Sequence, residues 1–131
     1  MIKRLMLLAA VMLSFGLAVS EPAAALERKT YDAAAVAADQ AAGKAVVIHV
    51  SAPWCPTCTA QKKAIDTIKD EPALKDVVLY ELDFDTGGAA LKELNARSQS
   101  TLIAYKGKTE TGRSAGDTSA KGIEALIKSA L

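Results

Sequence analysis

The passage that most constrains this chain is an apolar, β-prone run that breaks on prolines into a pair of cysteines. Ala45-Val46-Val47-Ile48-His49-Val50 has the length and residue types of a buried central strand. Pro53 and Pro56 end it, and Pro56 suits the first position of a helix, where a missing N–H leaves no bond unmade. The spacing predicts a helix from Pro56 to about Lys69 with Ala60, Ala64, Ile65 and Ile68 on its buried face. Cys55 and Cys58 then stand at a helix start, neighbours on one face and within disulfide reach.

No other cysteine occurs in the 131 residues. A structural bridge ordinarily closes a longer loop, since its entropic gain grows with loop length. Two cysteines this close indicate a redox pair or half of a metal site. A redox pair needs one exposed, acidic thiol and a second placed to resolve the mixed disulfide. Cys55, beside the unpaired N–H groups and the positive end of the helix dipole, is predicted to be the attacking thiolate. Cys58, one turn inside, is predicted to be the more buried, resolving thiol, and Trp54 a half-buried residue shielding the pair. The alternative is a soft-metal binding or delivery module built on Cys55, Cys58 and His49, since two thiolates and an imidazole suit Cu(I) or Zn(II). Against it, there is no third cysteine, and the three methionines all lie in the N-terminal segment.

That segment begins with Lys3 and Arg4, continues as an uncharged apolar run from Leu5 to Val19, and ends in the small residues Ala18-Val19-Ser20 and Ala23-Ala24-Ala25. Basic, apolar and small residues in that order form a secretory signal pattern, with cleavage after Ser20 or Ala25. The run is shorter than the 20 or so apolar residues of a full membrane span, although an uncleaved anchor is the other reading. Residues 1–25 are thus read as a signal peptide and 26–131 as one domain, exported to a bacterial periplasm where disulfides persist. The formal net charge of +1 falls to −1 without Lys3 and Arg4, and to 0 when Glu21 is also removed. No basic field remains for nucleic acid or anionic lipid.

Other elements follow from periodicity and turn residues. Tyr31 to Ala42 reads as a helix capped by Thr30 and stopped by Gly43. Val77 to Phe84 reads as a strand, Ala89 to Asn95 as a short helix, and Thr101 to Tyr105 as a third strand. Lys106-Gly107-Lys108 turns into a polar edge strand, Thr109 to Ser114. Asp117, Thr118 or Ser119 caps a last helix whose apolar positions are Ile123, Leu126, Ile127 and Leu131. Tyr80, Phe84 and Tyr105 are expected in the core or on a sheet face, and Lys106, Lys108, Lys121 and Lys128 in solvent. The alternation predicts an α/β fold with a central mixed sheet and helices on both faces.

Val46 to Cys58 resembles the active-site strand and turn of the thioredoxin superfamily, and the resemblance extends over nearly all of the chain after the N-terminal segment. Leu79 to Asp85 matches the family's next strand, Thr101 to Lys106 the strand beside the active site, and Gly116 and the last helix also fit. The resemblance implies a thioredoxin-like fold and a thiol–disulfide oxidoreductase, a monomer without cofactor, acting on thiols and disulfides of exported proteins through a reversible Cys55–Cys58 bond. It implies a substrate-facing surface of Trp54, Pro56, Thr57, Gln99, Ser100 and Thr101. Cys-Pro-Thr-Cys is similar to the tetrapeptide of envelope thioredoxins that assist cytochrome c maturation, though the insertion those proteins carry is not seen. That likeness implies a reductant supplied by an electron donor in the membrane.

Three positions depart from the family pattern. Ser100 stands where the family has a cis-proline, so it either makes the same turn in trans or holds a strained cis bond. Because the family backbone suits proline there, Ser100→Pro is expected to be tolerated. His49 stands at the family's buried acid and Glu81 at its lysine partner, an exchange of sign. His49 is then either a proton acceptor for Cys58 or a core histidine satisfied by hydrogen bonds.

Overall fold

The computed structural model describes residues 25–131. Of the expected leader, 1–25, residues 1–24 lie outside the described residues. Among these, no helix is long and apolar enough to cross a membrane. The elements run β1 (Glu27–Thr30), α1 (Ala33–Ala41), β2 (Ala45–Ser51), α2 (Pro56–Ile68), a 3-10 turn (Pro72–Leu74), β3 (Val77–Asp83), α3 (Gly88–Glu93), β4 (Thr101–Lys106), β5 (Thr109–Ala115) and α4 (Ala120–Lys128).

The sheet has the order β1-β3-β2-β4-β5. β3 runs parallel to both β1 and β2, while β4 is antiparallel to β2 and to β5. β2 is central, and all seven of its residues are buried. Strand alternation then sorts its side chains into two cores. Ala45 and Val47 join Leu79, Leu102, Ala64, Ile65, Ile68, Ile123 and Ile127 on the face covered by α2 and α4. Val46, Ile48 and Val50 join Val78, Tyr80, Leu82, Ile103, Val36 and Leu91 on the face covered by α1 and α3. The mixed sheet with helices on both faces is therefore as the sequence indicates.

β1 is the element that the sequence reading lacks. Glu-Arg-Lys-Thr is exposed along its whole length, so neither alternation nor hydrophobicity marks it as a strand. It exists because β3 offers an unpaired edge, with Arg28 in register with Leu79. Thr30 accordingly ends a strand and does not cap α1. The cap is Asp32, whose carboxylate accepts from the Ala35 N–H at 2.8 Å. Gly43, at φ +76°, follows the end of α1 as expected. In α4 the cap is Ser119, accepting from the Gly122 N–H at 3.1 Å, and Ala130 is buried while Leu131 is exposed. On α2, Ala60 is only partly buried, and its neighbour Gln61 is fully buried.

One further polar contact fastens α1 to the sheet. The buried Tyr80 hydroxyl donates to the Asp39 carboxylate at 2.6 Å, and Lys44 reaches the other oxygen at 2.8 Å. Lys44 and Tyr80 together outweigh the burial of Asp39 and hold its carboxyl below the usual range. Burial and the same carboxylate push the Tyr80 phenol up to about 12.

Candidate active site

β2 delivers the chain to the site, and the Ala52–Cys55 turn reverses it, closed by the Cys55 N–H on the Ala52 carbonyl at 3.2 Å. Cys55 is the N-cap of α2, in extended conformation, with Pro56 opening the helix. Its carbonyl accepts the Thr59 N–H, and its Sγ accepts the otherwise unpaired Cys58 N–H at 3.2 Å. A sulfur thus fills the role that a Ser or Asp oxygen usually fills at a helix start, which favours negative charge on it.

The two cysteines are free thiols about 2.7 Å apart. The expected contrast in exposure is corrected: Cys55 is 3% exposed and Cys58 1%, both enclosed with Ala52 and Phe84. Trp54 is likewise not half-buried. It is 60% exposed, and its indole N–H donates to Asp85 at 2.9 Å, so the ring stands beside the thiols without covering them. Pro56 is exposed and Thr57 half-buried on the same turn.

The loop before β4 brings Ser100 to the thiols. Its Oγ lies 3.1 Å from Cys55 Sγ and 3.1 Å from Cys58 Sγ. The peptide bonds of the described residues are all trans, and Ser100 makes the turn at φ +59°, in the left-handed region. That geometry overturns the expected tolerance of Ser100→Pro, since proline is confined near −65°. Thr101 is buried, its hydroxyl donating to the Ser98 carbonyl at 2.8 Å, and Gln99 is half-buried beside it.

Burial alone would push the Cys55 thiol up, but hydrogen bonds from the Cys58 thiol, the Ser100 hydroxyl and the Cys58 and Thr57 amides outweigh it and bring it below its ordinary value. None of those groups carries a charge. The thiolate is thus favoured by local dipoles, as a helix-start cysteine requires.

Behind the thiols lies a buried polar chain. Gln61 donates both amide hydrogens, to the Ser100 carbonyl and the Asp117 carbonyl, each at 2.9 Å. Its Oε1 must therefore be the acceptor facing His49 Nε2 at 2.9 Å, which makes Nε2 a donor. His49 Nδ1 lies 2.9 Å from Glu81 Oε2, its neighbour in the β2–β3 register. The approach is off-line for a hydrogen bond and acts as a close charge contact. A lone pair on Nδ1 would repel that carboxylate, so a proton belongs between them. Burial pushes the Glu81 carboxyl up, but the His49 ring, with Lys62 and Arg28, pulls it below the usual range. Both ring nitrogens are thereby engaged away from the sulfurs. With Nε2 bonded to Gln61 and Nδ1 set against Glu81, the geometry favours a core histidine over the proton acceptor.

The same engagement takes His49 out of a metal set with the thiols. Among the described residues, no group of three or more His, Cys, Asp or Glu side chains is placed to hold a metal ion. Gln61 is the site residue that sequence reasoning missed. Its only signal is a polar side chain on the face of α2 that also carries Cys58, Ala64, Ile65 and Ile68.

Comparison with known proteins agrees with this geometry. Residues 23–129 match the family model described as Thioredoxin. A stretch of 86 residues is 31% identical to Thioredoxin-2 of Saccharomyces cerevisiae, covering 66% of this chain and 77% of that protein. Over 83 residues the chain is 29% identical to Thioredoxin 2 of Plasmodium falciparum, covering 63% of this chain but only 52% of that protein, about half its length. Among solved structures, Trxlp from Edwardsiella tarda has a TM-score of 0.75 and 35% identity, covering 77% of this chain and 98% of that one.

Proposed function

The chain belongs to the thioredoxin family of thiol–disulfide oxidoreductases, and from that premise we propose that it reduces disulfides of exported proteins through Cys55 and Cys58. The observation that carries the reading is the helix-capping sulfur of Cys55, hydrogen-bonded by the Cys58 N–H and lowered towards the thiolate, with a second thiol beside it. Cys55 attacks a substrate disulfide, forming one S–S bond and releasing one substrate thiolate. Cys58 then attacks Cys55 Sγ, closing the internal disulfide and releasing the second substrate thiol with the proton that Cys58 gives up. Two electrons pass from the dithiol to the substrate.

Export rests on Lys3 and Arg4, the apolar run Leu5 to Val19, and the small residues before Glu21 and Leu26. The reducing direction rests on the likeness of Cys-Pro-Thr-Cys to reductants of the cell envelope, and it requires an electron donor in the membrane to restore the dithiol. Both thiols that a turnover needs lie on one chain, so the reaction calls for no second copy. The test uses protein recovered from a bacterial envelope fraction, its N-terminus sequenced and its reduction of insulin disulfides followed with dithiothreitol as donor. A start near Glu21 or Leu26 and catalysis abolished by Cys55→Ser are expected. A start at Met1, or insulin reduced no faster than by dithiothreitol alone, would overturn export or activity respectively.

A further inference from the structure

The contact that the mechanism above leaves unused is the Ser100 hydroxyl, which reaches both sulfurs at 3.1 Å. A hydroxyl has one hydrogen to donate and lone pairs to accept with. It can donate to only one sulfur, and its contact with the other must then run the opposite way. Cys55 Sγ already accepts from the Cys58 amide, whereas among the described residues no backbone donor reaches Cys58 Sγ. The consistent arrangement has the Cys58 S–H shared between Cys55 Sγ, about 2.7 Å away, and Ser100 Oγ, while the Ser100 O–H donates to the Cys55 thiolate.

We propose that Ser100 is a catalytic residue of this site, a bridging hydroxyl that holds the negative charge on Cys55 and the proton on Cys58. The proposal rests on the oxidoreductase reading and adds a third reacting-site group to the two thiols. Once Cys55 is engaged in a mixed disulfide it carries no charge. Rotation about the Cβ–Oγ bond then turns the same O–H towards Cys58 Sγ as that thiol ionises to attack. One hydroxyl thus serves each sulfur when that sulfur is charged, and no bond to Ser100 forms or breaks.

The surrounding structure is built to keep the hydroxyl there. Ser100 is 6% exposed and sits at φ +59°, a conformation an ordinary residue keeps only when its neighbours impose it. Its carbonyl accepts two hydrogen bonds, from the Gly116 N–H and from the Gln61 amide, each at 2.9 Å. Gln61 lies three residues beyond Cys58 on the buried face of α2, so the helix that carries the thiols also grips the loop that carries the hydroxyl. Gln61, turned by His49 Nε2, is the positioning residue of this arrangement. The groups facing Cys55 Sγ are the Cys58 thiol and amide and the Thr57 amide on α2, the Ser100 hydroxyl on its loop, and Ala52 and Phe84 packed alongside. Cys58 is the one titratable side chain among them.

The test is a thiolate titration of the full reduced chain by ultraviolet absorbance, with alkylation by limiting iodoacetamide and mapping of the adduct. Neither readout needs a substrate disulfide, so the result stands apart from whether the protein reduces insulin. Two variants separate hydroxyl from backbone. Ser100→Ala removes the oxygen and keeps the strained residue type, while Ser100→Gly removes the oxygen and relieves the strain. Thermal melts show that each is folded. A hydrogen bond to a charged group is strong enough that both variants should raise the titration midpoint by about one pH unit or more. Alkylation near neutral pH should slow about five- to tenfold, with the wild-type adduct on Cys55. A midpoint unmoved in both variants, one moved in only one of them, or a wild-type adduct chiefly on Cys58 overturns the proposal.

Discussion

At the scale of single residues, the site is decided by which hydrogens are already spoken for. Gln61 has two, both donated to carbonyls, and this fixes the ring of His49 as a donor through Nε2. Removing that ring leaves Gln61 Oε1 without its donor and Glu81, 26% exposed at its side chain, without the imidazole that faces it. His49→Leu should therefore lower stability by about 2–4 kcal/mol, the scale of breaking a buried polar contact by deleting one partner. Urea unfolding of the reduced protein measures this. Single-turnover kinetics then separates packing from proton transfer: the resolving step should be slowed less by His49→Leu than by Ser100→Gly. The reverse order would restore the histidine as the acceptor of the Cys58 proton.

Among the elements, the turn at Ser100 and the seam between α1 and β3 carry the sharpest consequences. Ser100 lies one residue before β4, and its φ of +59° is sign-reversed from the proline value. Ser100→Pro must rebuild the turn, lose the hydroxyl between the sulfurs and shift the carbonyl that Gln61 and Gly116 grip. We expect a loss of about 2 kcal/mol or more, of the order of backbone strain at such positions, read as a fall in melting temperature. A variant as stable as wild type would show that the loop has a second low-energy form. The α1–β3 seam behaves differently because its link is titratable. Tyr80 has its phenol raised from 10.0 to about 12, so its contribution to stability is complete below pH 10 and is lost as pH rises towards 12. Tyr80→Phe should cost about 1–2 kcal/mol at neutral pH and flatten the loss of stability between pH 10 and 12. Unfolding curves across that range check both, and an alkaline limb identical in the variant would show that another group governs it.

For the molecule as a whole, two carboxylates tied to the core contribute on the acid side. Asp39 and Glu81 are both held below the usual carboxylate range, so each adds stability above it that disappears as pH falls through the lowered values. The sequence by itself determined the architecture and the identity of the thiols. β2, with its seven buried residues, could only be central, and a proline-opened helix directly behind Cys55 left that cysteine as the cap. These are local consequences of hydrophobic periodicity, proline geometry and helix ends, written within a few residues of one another. Tertiary structure alone decided the rest. β1 is polar and forms only because β3 presents an edge to it. Gln61 reads as a surface residue until α2 is laid against the sheet, and His49 cannot be assigned a donor or acceptor role before Gln61 is in place. The burial of Cys55, the exposure of Trp54 and the Ser100 hydroxyl between two sulfurs join residues up to 45 positions apart. Periodicity says which face a side chain shares. Which partner across the core takes its hydrogen bond is settled only when distant segments close on one another, because each donor has few hydrogens and burial leaves no water to stand in for a missing partner.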